Sequence, residues 1–281
     1  MPEPTWPPNW RSSKACSSGA PSPNRSSRRR RPSCSAGDGR SSESSRSGRV
    51  VRIISLVPSS TETLLALGAD VVACTRFCEQ PDLEHVGGTK NPDLDAIVRL
   101  APDLIVLDRE ENRLEDHDAL AASGLALFVS DVTDVEGALA VVDSLAVAAG
   151  VEPAQPAHPG RVTGAPRRTA FVPIWRRPWM TIGADTYGAS VLDHLAIDVV
   201  PSPGGAYPEV GSGEVTAAAP DLIIVPSEPY VFSDEHVDEL AAMAPGADLR
   251  RVDGQDLFWW GIRTPGAVSR LAAALVRRQP A

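Results

Sequence analysis

One six-residue segment of this chain returns with a single Val-to-Ile difference. Ala101-Pro102-Asp103-Leu104-Ile105-Val106 returns as Ala219-Pro220-Asp221-Leu222-Ile223-Ile224, displaced by 118 residues. Leu67-Gly68-Ala69-Asp70-Val71-Val72 is echoed by Leu195-Ala196-Ile197-Asp198-Val199-Val200, displaced by 128 residues. Two copies of one unit, kept in the same order, predict two similar lobes. The ten-residue difference between the offsets falls in the loop 75–91, which is longer in the first copy. Long loops beyond strand ends are where α/β folds place ligands.

Within the first copy, strand and helix signals alternate. Residues 51–57 read as a buried strand ended by Pro58, and Ser59-Ser60-Thr61-Glu62 offers a capping residue and an acidic first turn for a helix closed by Gly68. Residues 71–75 form a second strand, 93–100 a helix, 104–107 a strand, 114–123 a helix ended by Gly124, and 125–129 a strand. This rhythm predicts α/β architecture, a mostly parallel sheet with helices on both faces. Between the copies, a helix over 138–149 leads into a segment carrying Pro153, Pro156, Pro159 and Pro166. Prolines at that density forbid one straight helix, so the connection reads as a helix followed by extended chain.

Composition limits what such lobes can do. Residues 1–48 hold 9 Lys and Arg against 3 Asp and Glu, so the remainder carries 18 against 33, a net charge of −15. A body that acidic repels phosphate backbones, and nucleic acid is not expected as a partner unless the basic leader binds it alone. Apolar runs such as 104–107 and 145–149 fall far short of the roughly 20 residues that cross a bilayer. The first 48 residues contain 14 Ser, 7 Pro and the run Arg28-Arg29-Arg30-Arg31, too little apolar surface to offset chain entropy. The domains expected are therefore a disordered basic leader over 1–48, an N-terminal lobe over 49–134, a linker over 135–168 and a C-terminal lobe over 169–281. No apolar stretch of about 7–15 residues precedes a small-residue cleavage site in the leader, and Cys16 lacks the apolar run that a lipid-modified Cys follows. The sequence as it stands thus predicts a cytoplasmic location, and an extracytoplasmic one if the true start lies elsewhere.

Cys74-x-x-x-Cys78 has the wrong spacing for a redox pair and lacks a second Cys/His pair for zinc, so Cys74 reads as a buried small hydrophobe. His85, His117, His158, His194 and His236 are scattered, and no metal cluster is built by local spacing. No G-x-S-x-G elbow, P-loop or H-E-x-x-H is present. The expectation is a protein that is not an enzyme, with no catalytic residue, no metal ligand and no intrinsic cofactor.

Five large aromatics, Trp175, Trp179, Tyr207, Trp259 and Trp260, lie in loop-like or strand-end segments rather than at helix-core spacing. Singly each fits core packing; together they suit gripping a flat macrocycle or aryl-rich chelate. Lys90, the only lysine after the leader, joins Arg109, Arg176, Arg177 and Arg263 as a local positive patch that would draw in an anionic ligand. Glu110 and Glu228 follow the two repeated strands, one per lobe, and are expected to fix cleft geometry by bonding arginines across it.

Four segments in order carry a family resemblance: Val51-Arg52-Ile53-Ile54-Ser55-Leu56-Val57-Pro58-Ser59-Ser60-Thr61-Glu62-Thr63, Gly87-Gly88-Thr89-Lys90-Asn91-Pro92-Asp93-Leu94, Pro173-Ile174-Trp175-Arg176-Arg177-Pro178-Trp179-Met180 and Tyr207-Pro208-Glu209-Val210. With Trp260-Gly261-Ile262-Arg263-Thr264 near the end, they resemble the helical-backbone metal receptor family, the class III solute-binding proteins of ABC importers, with the cobalamin-binding branch nearest. The resemblance spans residues 50–270. It implies two Rossmann-like lobes joined by one long helix, with a cleft between them holding cobalamin or another metal chelate such as haem or a ferric siderophore. This sequence departs from it in its short, proline-interrupted linker.

Carried over residue by residue, the resemblance puts Phe77 in the cleft loop against ligand and Tyr207 at a cobalamin-stacking position. Periodicity alone leaves Phe77 equally suited to anchoring its loop. The ligand-binding set is therefore Phe77, Lys90, Arg109, Glu110, Trp175, Trp179, Tyr207, Glu228, Trp260 and Arg263. The resemblance further implies an acidic residue on each lobe that pairs with permease arginines. Asp95 matches the first; at the second the expected Glu position is Gly213, with Glu214 beside it. The function expected is a monomeric solute-binding protein associated with ABC import. The alternative is a cytoplasmic ligand-sequestering protein or enzyme on the same two lobes, working without a transporter.

Overall fold

The computed structural model describes residues 49–275, and the expectations for the leader lie outside the described residues. From Val51 onward the chain forms one compact unit. Its first lobe runs β1 (Arg52–Ser55), α1 (Pro58–Ala66), β2 (Asp70–Cys74), β3 (Glu84–His85), β4 (Gly87–Gly88), β5 (Asn91–Pro92), α2 (Leu94–Leu100), β6 (Leu104–Asp108), α3 (Leu114–Ala122) and β7 (Leu127–Ser130). Helix α4 (Val135–Ala149) follows, and then chain without helix or strand up to residue 167. The second lobe contains β8 (Arg168–Phe171), β9 (Pro173–Trp175), β10 (Trp179–Thr181), α5 (Tyr187–His194), β11 (Ile197–Val199), β12 (Glu209–Val210), α6 (Ser212–Ala218), β13 (Leu222–Pro226), α7 (Asp234–Met243), β14 (Asp248–Val252), α8 (Gly254–Phe258) and α9 (Thr264–Leu275).

The repeat is visible in the sheets. Lobe one has strand order β3-β2-β1-β6-β7 and lobe two β11-β8-β13-β14, both parallel throughout. The duplicated Ala-Pro-Asp-Leu segment does the same work twice. Ala101 (φ 45°) and Ala219 (φ 44°) end α2 and α6 in the left-handed region, and the prolines after them cannot continue the helix. Each Asp then accepts a backbone N–H of the neighbouring strand, Asp103 from Arg52 at 3.0 Å and Asp221 from Thr169 at 2.7 Å. Gly68 (φ 74°) and Ala196 (φ 58°) turn the chain equivalently after α1 and α5.

Helix α1 begins earlier than the hydroxyl-rich run suggests. Pro58 takes the first helical position, where its missing N–H leaves nothing unpaired, and extended Val57 precedes it without a side-chain cap. Ser59 and Thr61 therefore lie within the helix, where Thr61 Oγ1 donates to Val57 O at 2.9 Å, and Glu62 is outside the first turn. Helix α4 likewise starts three residues before the expected 138, because Asp134 caps it by accepting Gly137 N–H at 2.6 Å.

Val135, Ala138, Val141, Val142, Leu145, Ala146 and Ala149 form the buried stripe of α4. They pack it against α1 of the first lobe and α5 and α9 of the second. One hydrophobic core accordingly includes Ile53 and Leu64, α4, and Leu192, Leu222 and Leu271. The short helix, about 22 Å long, thus joins both lobes. An antiparallel sheet β12-β10-β9 and a hairpin β4-β5 interrupt the parallel plan. Both emerge from segments that carried motifs rather than strand signals, and both lie beside the cleft.

Candidate ligand-binding cleft

A cavity of about 320 Å³ lies between the lobes, at the carboxyl ends of both parallel sheets. From lobe one its wall takes Pro58 and Ser59 at the start of α1, Lys90 in the β4–β5 turn, and Glu110 and Glu111 after β6. Lobe two contributes Tyr207, Glu228 and Pro229 after β13, Trp259, and the β10–α5 turn with Tyr187. The equivalent loops of the two repeats, after β6 and after β13, face each other across it. Parallel sheets place ligands at these strand ends because the loops there are free of crossover packing.

Buried polar groups hold the lobe-one loops. Asn112 accepts Asp108 N–H at 2.8 Å through Oδ1, while Nδ2 donates to Thr89 O at 3.0 Å and Leu56 O at 3.3 Å. It ties β6, the Lys90 turn and the chain after β1 together. Asp108, fully enclosed, accepts Ser130 Oγ–H at 2.7 Å and Glu110 N–H at 2.9 Å. Burial pushes its carboxyl up to about 7. In lobe two, Gly183 N–H donates to Ala206 O at 2.7 Å, and a Cβ at Gly183 would stand 1.8 Å from Gly205 O. Only glycine lets the Tyr207 loop lie there.

Tyr207 O–H donates to Glu110 Oε2 at 2.6 Å, a hydrogen bond from lobe to lobe across the cavity. Lys90 Nζ donates to the Glu110 carbonyl. Burial raises the carboxyl pKa values of Glu110, Glu111 and Glu228, while the Tyr207 hydroxyl and the Trp259 indole oppose the rise at Glu110 and Glu228. Glu110 and Glu111 keep an exposed edge in the open cleft, and water there limits the shift. Among the described residues the cavity wall therefore presents three carboxyl groups and one ammonium.

That balance corrects the expected positive patch. Arg109 Nη1 lies 3.3 Å from Asp131, Arg176 donates to Glu239 at 2.7 Å, and Arg263 sits 2.8 Å from Glu62 and 3.8 Å from Asp256. In a body this acidic, each of these arginines already has a carboxylate within ion-pair distance. Glu110 crosses the cleft to Tyr207 and Glu228 meets Trp259, so neither carboxylate bonds an arginine as expected.

Of the expected ligand-binding residues, the fold brings Lys90, Glu110, Tyr207 and Glu228 to the cavity wall. Phe77, half exposed, lies beneath the Arg76 guanidinium at 4.7 Å, outside the wall. Trp175 packs edge-on against Tyr230 and Trp179 stacks on Phe232, and neither side chain reaches the wall. Trp260 is buried in the core and its neighbour Trp259 lines the cavity instead, because the chain leaving α8 turns adjacent side chains in opposite directions. Arg263 stands under Trp259, 5.2 Å from its ring. Glu111, Tyr187, Phe258 and Asn112 escaped the sequence reading; nothing in their spacing marks them. Asp95 and Glu214 are both exposed in the first turns of the repeat-equivalent helices α2 and α6, where Glu214 also accepts Gly211 N–H at 2.7 Å.

No family model matches the chain. The vitamin B12-binding protein of Yersinia pestis (strain Pestoides F) is 38% identical over 101 residues, which cover 34% of this chain and 36% of that protein. The chain thus spans about a third of the length of the curated relatives it matches. Among solved structures, the periplasmic vitamin B12-binding protein of Vibrio cholerae superposes with a TM-score of 0.65 at 18% identity, over 80% of this chain and 96% of its own. The periplasmic haem-binding protein of the same organism gives 0.66 at 18%, over 82% and 100%. Both of these solved structures are of periplasmic proteins, which overturns the cytoplasmic location expected from the leader's lack of an apolar stretch. They are also binding proteins rather than enzymes. With its repeated parallel sheets, joining helix and cavity between lobes, the chain has the two-lobe α/β fold of the class III solute-binding proteins that its motifs resemble.

Proposed function

We propose that this protein is an extracytoplasmic solute-binding protein that holds a corrinoid between its lobes and presents it to an ABC importer, without chemical turnover. The observation that carries this is the cavity built from equivalent loops of both lobes, closed by Tyr207 on Glu110 and edged by Trp259 and Phe258. The curated relative named for vitamin B12 supports the choice of ligand. At about 320 Å³ the cavity is at the small end of ligand pockets. It would grip one face or edge of a macrocycle while the remainder stands in the open cleft.

Charge favours a corrinoid over the anionic chelates. Carboxylates accept hydrogen bonds from amide N–H groups and the Lys90 ammonium donates them, which suits peripheral carboxamides. The carboxylates of haem or a ferric catecholate would face Glu110, Glu111 and Glu228, with Lys90 the only cation in the wall among the described residues. Like-charge juxtaposition of this kind costs several kcal/mol. Docking on a permease would use Asp95 and Glu214, one exposed carboxylate from each lobe.

Titrating the protein with cyanocobalamin, haem and a ferric catecholate siderophore, following tryptophan fluorescence and ligand absorbance, tests the reading. Saturable binding of cyanocobalamin, tighter than the two anionic chelates, is expected. Absence of binding to all three would sink it.

A further inference from the structure

Away from the cleft, the fold gathers Glu136 from the first turn of α4, His158 from the proline-rich segment and His194 from the last turn of α5. Their ligand-type atoms all lie within 4.8 Å of one another. Both imidazoles are oriented from behind. His194 Nδ1 is 3.0 Å from Ser190 O, and His158 Nδ1 is 2.9 Å from Pro159 O. A carbonyl only accepts, so each Nδ1 carries the hydrogen, and in the neutral ring each Nε2 presents its lone pair. Those two nitrogens converge on one carboxylate oxygen, Glu136 Oε1, at 3.7 Å from His158 and 3.9 Å from His194.

His194 makes the arrangement more than a surface cluster. It is 0% exposed, and its Nε2 is buried with no hydrogen-bond partner. A buried acceptor left in that state is costly, on the order of 1–3 kcal/mol. A metal ion is the partner that would satisfy it and both other ligands at once. Tetrahedral bonds of about 2.0–2.1 Å separate ligand atoms by about 3.3 Å, so each imidazole would close on Glu136 by roughly half an ångström, and the two imidazole nitrogens, within 4.8 Å of each other, by at most about 1.5 Å. Backbone carbonyls behind the Nδ1 atoms are the usual outer support of such ligands. Arg161 Nη2 lies 4.0 Å from the same Glu136 oxygen, but its Nη1 is held by Asp193 at 2.7 Å, and Asp193 also binds Arg167.

We infer that Glu136, His158 and His194 form a structural site for a divalent transition metal, zinc being the ion that suits two imidazoles, one carboxylate and a water. The ion would staple the linker segment, the start of α4 and the second lobe at one point. It would secure the stretch where prolines leave the connection without helical hydrogen bonds.

The full-length protein, stripped with chelator and equilibrated with micromolar zinc chloride, should retain zinc and show a higher unfolding midpoint than the stripped form. Glu136→Gln and His158→Ala, both at exposed side chains, should each weaken zinc affinity at least about tenfold. They should also abolish the zinc-dependent rise in midpoint while leaving the metal-free midpoint within about a degree. His85→Ala, far from the cluster in sequence and on the lobe-one sheet edge, should change neither. Failure of the wild-type midpoint to respond to zinc, or an equal response in both variants, would overturn the site and leave an ordinary imidazole–carboxylate pair.

Discussion

Gly261 is the position where the joint between the lobes can be probed most sharply. Its φ of +105° is one that residues with a side chain rarely adopt, and an added Cβ would stand 2.2 Å from Thr63 Oγ1 on α1. The backbone strain of Gly261→Ala costs about 1–3 kcal/mol. Relieving the contact by moving Thr63 costs about another 1–3 kcal/mol, as other overpacked sites do. At a few degrees per kcal/mol for a body of this size, the Tm should fall on the order of 10 °C. Thr63→Ala alone deletes the acceptor of Ile262 N–H, at 3.2 Å, and should cost about 1 kcal/mol. In the double variant the colliding oxygen is gone and the next atom, Thr63 Cβ at 3.5 Å, makes ordinary contact. Only the backbone strain should then remain beside the lost hydrogen bond. A double-mutant cycle by urea unfolding should therefore give a favourable coupling of about 1–3 kcal/mol between the two sites. Strict additivity would refute the close approach of α1 to the α8–α9 turn.

Stability should also depend on pH through Asp108. Burial raises its folded-state pKa to about 7, above that of an unfolded carboxyl, so its contribution is fully present below about pH 4 and is lost as pH rises through 7. Asp108→Asn should flatten that part of the stability–pH profile, read as unfolding free energy from pH 4 to 8; an unchanged slope would reject the assignment. Tyr207→Ala should weaken cyanocobalamin binding by about 1–3 kcal/mol, measured by calorimetry, through loss of both the ring and the bond to Glu110. Gly183→Ala should weaken it without touching a wall residue's side chain, by displacing the Tyr207 loop. Reversing Asp95 and Glu214 to Lys should slow association with a cognate permease at constant ligand affinity; Glu214→Gln keeps the α6 cap and separates lost charge from lost helix stability.

The longer strands and the helices of lobe one were legible because they are short, punctuated by Gly or Pro, and patterned on one period, whereas the two-residue strands β3, β4 and β5 fell in a stretch read as loop. The repeat then supplied lobe two: Ala101 and Ala219 had to end helices and Asp103 and Asp221 lead into strands, since proline stands between them. Small antiparallel pieces such as β9–β10 were not legible, because Pro173 and Pro178 disguise them and their pairing is settled by neighbours.

For the site, the sequence by itself determined which loops could meet a ligand. It placed Lys90, Glu110, Tyr207 and Glu228 after the ends of repeated strands, and the parallel topology carries those ends to one side. Only the tertiary structure decided the rest. Whether Trp259 or Trp260 faces the cavity depends on a turn whose angle no local pattern records. The fate of Arg109, Arg176 and Arg263 depended on which carboxylates the fold set beside them, and electrostatic pairing acts over a few ångströms in space irrespective of distance along the chain. Glu136, His158 and His194 show the same limit: far apart in sequence and unremarkable there, they become neighbours because α4, the linker and α5 pack together.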